Sequence, residues 1–239
     1  RWFRNVIFYL CGSFSTPALR GPVGLLFLSA AVCFAVSALG FATIAGAGLA
    51  AALMVTTPIL SSMFAFMFMA EAFQFSLLCG CASVWLAKKY RRGWLAAAPL
   101  LALGMGTYQT CFCIAAALFL FMFVLDLFDK APLQESYCRL GRYAATLAGA
   151  FAVYLAVTMI TVAACGVTLA QYQGIAGISG GLFTAIFAHP VRLLHSLYAA
   201  FALDVFLDPL GHRTAAVAAA RWALVVIHVV LCVWLFIKR

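Results

Sequence analysis

The sequence is poor in charged residues. Asp, Glu, Lys and Arg together make up 9% of its 239 residues, and only 6 of the 239 are acidic. A soluble domain carries about 25% charged and about 45–50% apolar residues, whereas 67% of this chain is hydrophobic. This shortage excludes an ordinary soluble domain, because no soluble core accounts for so much apolar sequence. Repeated apolar runs of about 20 residues instead predict an all-α, polytopic membrane protein.

The chain also lacks the short motifs that mark most nucleotide, metal and nucleophile sites. It contains no P-loop, nucleophile elbow, HExxH or CxxC array. Its 9 cysteines are scattered, and the two C-x-C pairs have no His or carboxylate nearby in sequence. We therefore expect no metal and no cofactor, and we interpret the cysteines as small packing residues.

The net charge of +9 is concentrated in loops. Residues 88–92 read KKYRR, which places four positive charges in one short loop between apolar runs. The positive-inside rule predicts that this loop is cytoplasmic. No basic stripe is interleaved with exposed aromatic residues, so we expect no nucleic-acid partner.

The apolar runs predict a helical bundle of about seven membrane-embedded helices in a single transmembrane domain, residues 1–239. These stretches are about 23–41, 49–60, 64–87, 94–106, 110–127, 143–166 and 222–237. Residues 1–20 suit an interfacial helix, and 126–142 a second cytoplasmic loop. Residues 167–220 are predicted as an extracytoplasmic loop with interfacial helices, and a further crossing at 182–208 is the alternative. Because the first residue is Arg rather than Met, we expect a fragment of a longer chain.

Glu71 is the only charged residue between Gly21 and Ala87. A carboxylate at the centre of a bilayer costs roughly 2.5–3.5 kcal/mol on insertion scales. Glu71 precedes Lys88 by about 17 residues, or about 25 Å of helix at 1.5 Å per residue. With Lys88 in the cytoplasm, the hydrocarbon thickness of about 30 Å predicts Glu71 near the outer boundary.

Three further patterns occur in order along the chain. They are Arg1-Trp2 with an amphipathic segment, Thr57-Pro58 with an aromatic-rich stretch ending at Glu71, and Gly104-Met105-Gly106-Thr107-Tyr108-Gln109, later followed by Tyr172-Gln173-Gly174-Ile175. Together they resemble the serotype-converting glucosyltransferase family of bacteria and their phages. The resemblance covers most of residues 1–180.

The resemblance implies a GT-C-like fold and a reaction. Such proteins take a sugar, usually glucose, from a polyprenyl-phosphate carrier and transfer it to a lipid-linked glycan acceptor such as O-antigen. The reaction is expected on the extracytoplasmic side of the bacterial cytoplasmic membrane, among membrane lipids. Two features depart from the family pattern. The acidic pair expected as general base would lie upstream of Arg1, and the family's usual Asp is Glu71 here.

The residues of these patterns and the nearby arginines predict a site on the extracytoplasmic side of the membrane. Glu71 is the supporting catalytic carboxylate, or else a carboxylate paired with a cation for folding alone. The residues predicted to bind substrate are Arg1, Arg4, Arg20, Tyr108, Gln109, Tyr172 and Gln173. The arginines suit a phosphate and the Tyr-Gln pairs suit sugar hydroxyls. Headgroup anchoring and interfacial belts are the alternatives.

Two other functions remain open from the residues alone. A transporter or flippase for a lipid or small solute would use Glu71 as a coupling carboxylate in an otherwise neutral tract. A structural membrane subunit would have no site at all. The phenylalanines that could line a groove for a polyprenyl tail are equally suited to lipid-facing or packing surface; they are Phe64, Phe66, Phe68, Phe73 and Phe75.

Overall fold

The computed structural model describes residues 17–56, 69–129 and 132–166 continuously, with the side chains of 17–19 excepted, and positions 3, 63–64, 191, 195, 222–223, 226–227 and 230 singly or in pairs. The chain divides into two compact units, Arg1–Val167 and Thr168–Arg239. In the second unit the described positions are helical. The single transmembrane domain over 1–239 stays a prediction.

Six helices are described in the first unit, and no strand occurs in the described part of the chain. They are α1 (Pro17–Leu39), α2 (Ile44–Val55), α3 (Ala70–Lys89), α4 (Gly93–Thr107), α5 (Thr110–Phe128) and α6 (Leu133–Cys165). Four of them, α1 over Arg20–Leu39, α3, α5 and α6, are long and apolar enough to cross a membrane. The prediction of an all-helical membrane protein is confirmed, while the count of about seven helices and the GT-C-like arrangement stay predictions.

Helices α1 and α3 run parallel to each other. Arg20 near the start of α1 pairs with Glu71 near the start of α3. At the other end the Trp85 indole donates to the Ser37 hydroxyl at 3.0 Å, and the Lys88 ammonium donates to the carbonyl of Ala38. These contacts define two ends of the bundle, which we name the Glu71 end and the Lys88 end.

Helix α3 is the central helix of the first unit. It packs against α1, α4 and α5. Of its apolar 18-residue stretch, 72% is buried inside the protein, compared with 22% of the corresponding stretch of α5 and 11% of that of α6. Because protein rather than lipid surrounds most of α3, it can carry polar side chains that a lipid-facing helix excludes. The buried polar residues of α3 are Glu71, Gln74, Ser76 and Ser83.

Small residues let α4 and α5 approach α3 closely. A Cβ added at Gly104 on α4 would lie 2.8 Å from the Cβ of Cys79 on α3 and 3.0 Å from the Sγ of Cys111 on α5. A Cβ added at Gly80 would lie 3.2 Å from the carbonyl oxygen of Cys111. The packing of these three helices therefore depends on the absence of side chains at Gly104 and Gly80.

Two helix starts differ from the sequence prediction. Residues 17–20, assigned to an interfacial helix, are the first turn of α1, because Pro17 suits an N-terminal position that needs no N–H donor. Helix α6 begins at Leu133, about ten residues before the predicted span. Its first turns are polar, and the Arg139 guanidinium lies 3.4 Å from Glu135 one turn earlier and 3.3 Å from Asp126 on α5. Most of the predicted loop 126–142 is therefore helical.

Candidate functional site

The Glu71 end contains a buried ion pair between α1 and α3. An Arg20 nitrogen lies 3.1 Å from the Glu71 Oε1, and each side chain is 3% exposed. The two helices are close to each other at Gly24, one turn after Arg20, since a Cβ there would lie in van der Waals contact, 3.6 Å from the backbone of Ala70 and Glu71. Glu71 also occupies the first turn of α3, where the helix dipole favours a negative charge. The pair explains how an acid is accommodated in this apolar region.

Gln74 is a further candidate site residue, which was not predicted from the sequence. It lies one turn after Glu71 on α3 and is fully buried. Neither its amide nitrogen and oxygen nor the Oε2 of Glu71 has a hydrogen-bond partner in the described structure. Leaving a buried polar group without a partner costs about 1–3 kcal/mol. The signal available in the sequence was its spacing, a second polar residue at i+3 from Glu71 in an apolar tract.

A second polar contact ties α3 to the turn between α4 and α5. The Ser76 hydroxyl donates to the carbonyl oxygens of Gly104 at 3.1 Å and of Tyr108 at 2.7 Å. The backbone N–H of Tyr108 also donates to the Gly104 carbonyl at 2.8 Å, which closes α4. These bonds satisfy carbonyls that the end of a helix otherwise leaves without partners.

The side chains of the Tyr108-Gln109 pair are held by neighbouring helices. The Tyr108 ring meets the Phe73 ring edge-on, with 4.5 Å between centroids. The Gln109 amide nitrogen donates to the hydroxyl of Tyr154 on α6 at 2.7 Å. The pair therefore joins α3, α5 and α6 at the Glu71 end.

Aromatic rings lie beside the ion pair. The Phe75 ring packs edge-on against Phe27 of α1 at 5.5 Å and is stacked with Phe3 at 5.9 Å. Phe3 is the one described position in residues 1–16, and its ring lies beside α3. Of the predicted groove phenylalanines, Phe64, Phe73 and Phe75 are half-buried and pack against other parts of the unit, while Phe66 and Phe68 lie outside the described residues.

Four predicted site residues lie at the Glu71 end, and the contacts that the structure describes for them fall into two groups. Arg20 and Glu71 form one group, where α3 faces α1. Tyr108 and Gln109 form the other, where Ser76 of α3 faces the end of α4. The other predicted positions, Arg1, Arg4, Tyr172 and Gln173, lie outside the described residues, as does Thr57-Pro58.

The chemistry of the described site is that of a charged, polar cluster held in place by packing. Arg20 fixes one oxygen of Glu71, while its other oxygen and the Gln74 amide keep free hydrogen-bonding capacity. Such groups suit hydroxyl recognition and local electrostatic support. Within the described ranges, no group of three His, Cys, Asp or Glu residues could hold a metal ion.

One comparison with known proteins gives a match. A family model described as "Glucosyl transferase GtrII" matches residues 1–239. No curated protein and no solved structure matches the chain.

Proposed function

The chain belongs to the glucosyl transferase GtrII family, and from that premise we propose that it moves glucose from a polyprenyl-phosphate carrier to a lipid-linked glycan acceptor such as O-antigen. Membership makes it a glucosyltransferase. The proposal adds the donor, the acceptor and the place of the reaction. The observation that carries it is the buried Arg20–Glu71–Gln74 cluster in an otherwise neutral and apolar region.

A lipid-linked donor fits the surroundings of this cluster. A polyprenyl chain needs an apolar surface that is continuous with the bilayer, and its phosphate needs a polar group at the end of that surface. The rings of Phe27, Phe73 and Phe75 supply apolar surface at the Glu71 end. In the proposed complex the lipid follows these rings, and the sugar reaches the polar side chains.

The transfer itself requires three events. The acceptor hydroxyl forms a bond to the anomeric carbon of glucose, the bond from that carbon to the phosphate oxygen breaks, and a carboxylate takes the hydroxyl proton. Glu71 supports this reaction rather than taking the proton, because Arg20 occupies one of its oxygens. Because the side chains of Glu71 and Gln74 are buried, they act from within the protein wall of the site, where with Arg20 they hold the starts of α1 and α3 in position beside the sugar.

The remaining predicted residues complete the site in the proposal. Arg1 and Arg4 neutralise the departing polyprenyl phosphate. For Tyr172 and Gln173, which lie outside the described residues, binding of sugar hydroxyls stays a prediction from the sequence. The cation-rich Lys88 end is placed in the cytoplasm by the positive-inside rule. The Glu71 end then faces the extracytoplasmic side of the bacterial cytoplasmic membrane, where the acceptor is displayed.

The transporter alternative receives less support from this geometry. A coupling carboxylate must release and regain its partner in each cycle, which favours access to water. Glu71 is instead enclosed with Arg20 between two helices, and both side chains are almost fully buried.

The test is transfer by the full-length protein in liposomes that contain polyprenyl-phosphate glucose and the lipid-linked acceptor. We expect glucosylated acceptor from the wild type and little from Glu71→Gln. Because Glu71→Gln can also unfold the protein, the double variant Arg20→Met/Glu71→Leu serves as the folded comparison. Wild-type transfer by that double variant would remove Glu71 from the mechanism. Absence of transfer by the wild type with this donor would overturn the proposed donor.

A further inference from the structure

A pocket opens at the Lys88 end, opposite the proposed catalytic end. It is lined by Arg91, Glu135, Cys138 and Arg142. Arg91 lies in the turn that follows α3, and the other three lie on the first turns of α6. Their spacing, at i, i+3 and i+7, places them on one face of that helix. The pocket is therefore built by two segments that the fold brings together.

Two arginines, Arg91 and Arg142, line this pocket together with Glu135 and Cys138. Neither Arg91 nor Arg142 forms an ion pair with any residue in the described ranges. The acids nearby are engaged elsewhere, because Arg139 binds both Glu135, at 3.4 Å, and Asp126, at 3.3 Å. With one carboxylate, Glu135, against two arginines in its lining, the pocket keeps a net positive charge, which favours a bound anion.

We propose that this pocket binds a phosphate group, that of an anionic phospholipid headgroup. The planar donor fork of arginine matches phosphate oxygens in pairs, which lysine does not. The pocket also lies at the level where the spans leave the apolar layer, since α3, whose 20 residues cover about 30 Å, ends two residues before Arg91. Basic pockets between membrane helices bind anionic headgroups in this position. The site is separate from the Arg20–Glu71 pair and does not depend on the proposed reaction.

The exposed thiol of Cys138 reports on occupancy of this pocket. The full chain is placed in nanodiscs of phosphatidylcholine alone, of phosphatidylcholine with phosphatidylglycerol, or of phosphatidylcholine with inorganic phosphate in the buffer. Maleimide modification of Cys138 is followed by peptide mass spectrometry. We expect the reaction to slow in phosphatidylglycerol nanodiscs, because the headgroup covers the thiol. This comparison uses the wild type and needs no variant.

Substitutions then distinguish lipid binding in the pocket from attraction of the lipid by general surface charge. Arg91→Gln or Arg142→Gln is expected to lower the apparent affinity for phosphatidylglycerol about fivefold. Each basic residue near an anionic surface contributes about 1 kcal/mol of binding free energy, which corresponds to that factor. Arg92→Gln is the matched control, since it removes the same charge from the neighbouring residue, which does not line the pocket. Protection lost only in the pocket variants supports the proposal.

Other outcomes overturn it in different ways. If Arg92→Gln lost the protection of Cys138 to the same extent, surface charge alone would attract the phosphatidylglycerol, and there would be no specific site. Protection by inorganic phosphate but not by phosphatidylglycerol would keep the phosphate site and reject the lipid as its source. Unchanged Cys138 reactivity in all three preparations would reject the site itself.

Discussion

Arg20 on α1 and Glu71 on α3 join two parallel helices through an ion pair of 3.1 Å that is almost completely buried. The pair lies close to Gly24, where the helix backbones are near each other. A buried ion pair can stabilise a fold less than well-packed apolar residues do, yet removal of one partner leaves an uncompensated charge. The contact therefore serves either the fold or the reaction, and the two roles can be measured separately.

Replacement of one member of the pair is expected to destabilise the protein strongly. Arg20→Met should lose about 3–5 kcal/mol of unfolding free energy, because Glu71 loses its partner in a buried, apolar environment. The double variant Arg20→Met/Glu71→Leu should recover most of this loss. Unfolding of purified protein in detergent micelles measures both values.

The activity of the same double variant decides between the two roles. If Glu71 supports transfer, the variant is stable and inactive. Recovery of stability and transfer together would show that the pair serves the fold alone. A double variant that is as unstable as Arg20→Met would contradict the account of the pair as an isolated buried charge.

Gly104 is expected to tolerate no side chain. Gly104→Ala puts a methyl group 2.8 Å from the Cys79 Cβ and 3.0 Å from the Cys111 Sγ, so α4 must move away from α3. Overpacking of this kind costs about 1–3 kcal/mol. Thermal unfolding in micelles should show the loss, with a decrease in sugar transfer as the Tyr108 turn shifts.

The chain offers a matched control for that change. Gly48 lies inside α2, and a Cβ there would meet nothing within 4 Å. Gly48→Ala should stabilise α2 by about 0.5–1 kcal/mol, because alanine loses less conformational entropy in a helix than glycine. Similar effects of the two substitutions would show that helix propensity, not close packing, determines the role of Gly104.

The sequence predicted the spans well where hydrophobicity alone decides them. The predicted stretches 94–106 and 110–127 agree within a residue with α4 and α5, since each is bounded by charged or polar turns. The start of α6 was predicted wrongly because hydropathy decreases there while the helix continues. Its polar turns are held by Arg139, which bridges to Glu135 and to another helix. Such contacts depend on tertiary structure and leave no local signal.

The site was predicted only in part, because its contacts between helices also leave no local signal in the sequence. The isolated charge of Glu71 identified it from sequence, but its partner could not be identified, because Arg20 lies on a helix that is distant along the chain. Arg20 was predicted to bind phosphate, and the structure assigns it an ion pair with Glu71. Phosphate binding by Arg20 stays a prediction. Gln74 was missed because an amide carries no charge, and its burial appears only in the fold.

Ser76→Ala is expected to loosen the turn that carries Tyr108. The hydroxyl donates to the carbonyl of Tyr108 at 2.7 Å, and loss of this part-buried hydrogen bond should cost about 0.5–1.5 kcal/mol of unfolding free energy. Ser83→Ala on the same helix is the control, because its hydroxyl bonds only to the Gly80 carbonyl one turn earlier. Unfolding in micelles should rank Ser76→Ala well below Ser83→Ala, and equal stability of the two variants would contradict this role of Ser76.

The bond between Gln109 and Tyr154 separates a substrate contact from a structural one. Gln109→Leu and Tyr154→Phe both remove the 2.7 Å hydrogen bond. If the bond only positions the helices, the two variants should lose similar stability, about 0.5–1.5 kcal/mol, and similar transfer activity. If Gln109 also binds the sugar, its loss should raise KM further than Tyr154→Phe does. We expect the second result, measured as kcat and KM for the proposed lipid-linked donor. A KM for Gln109→Leu no higher than that for Tyr154→Phe would remove Gln109 from the substrate site.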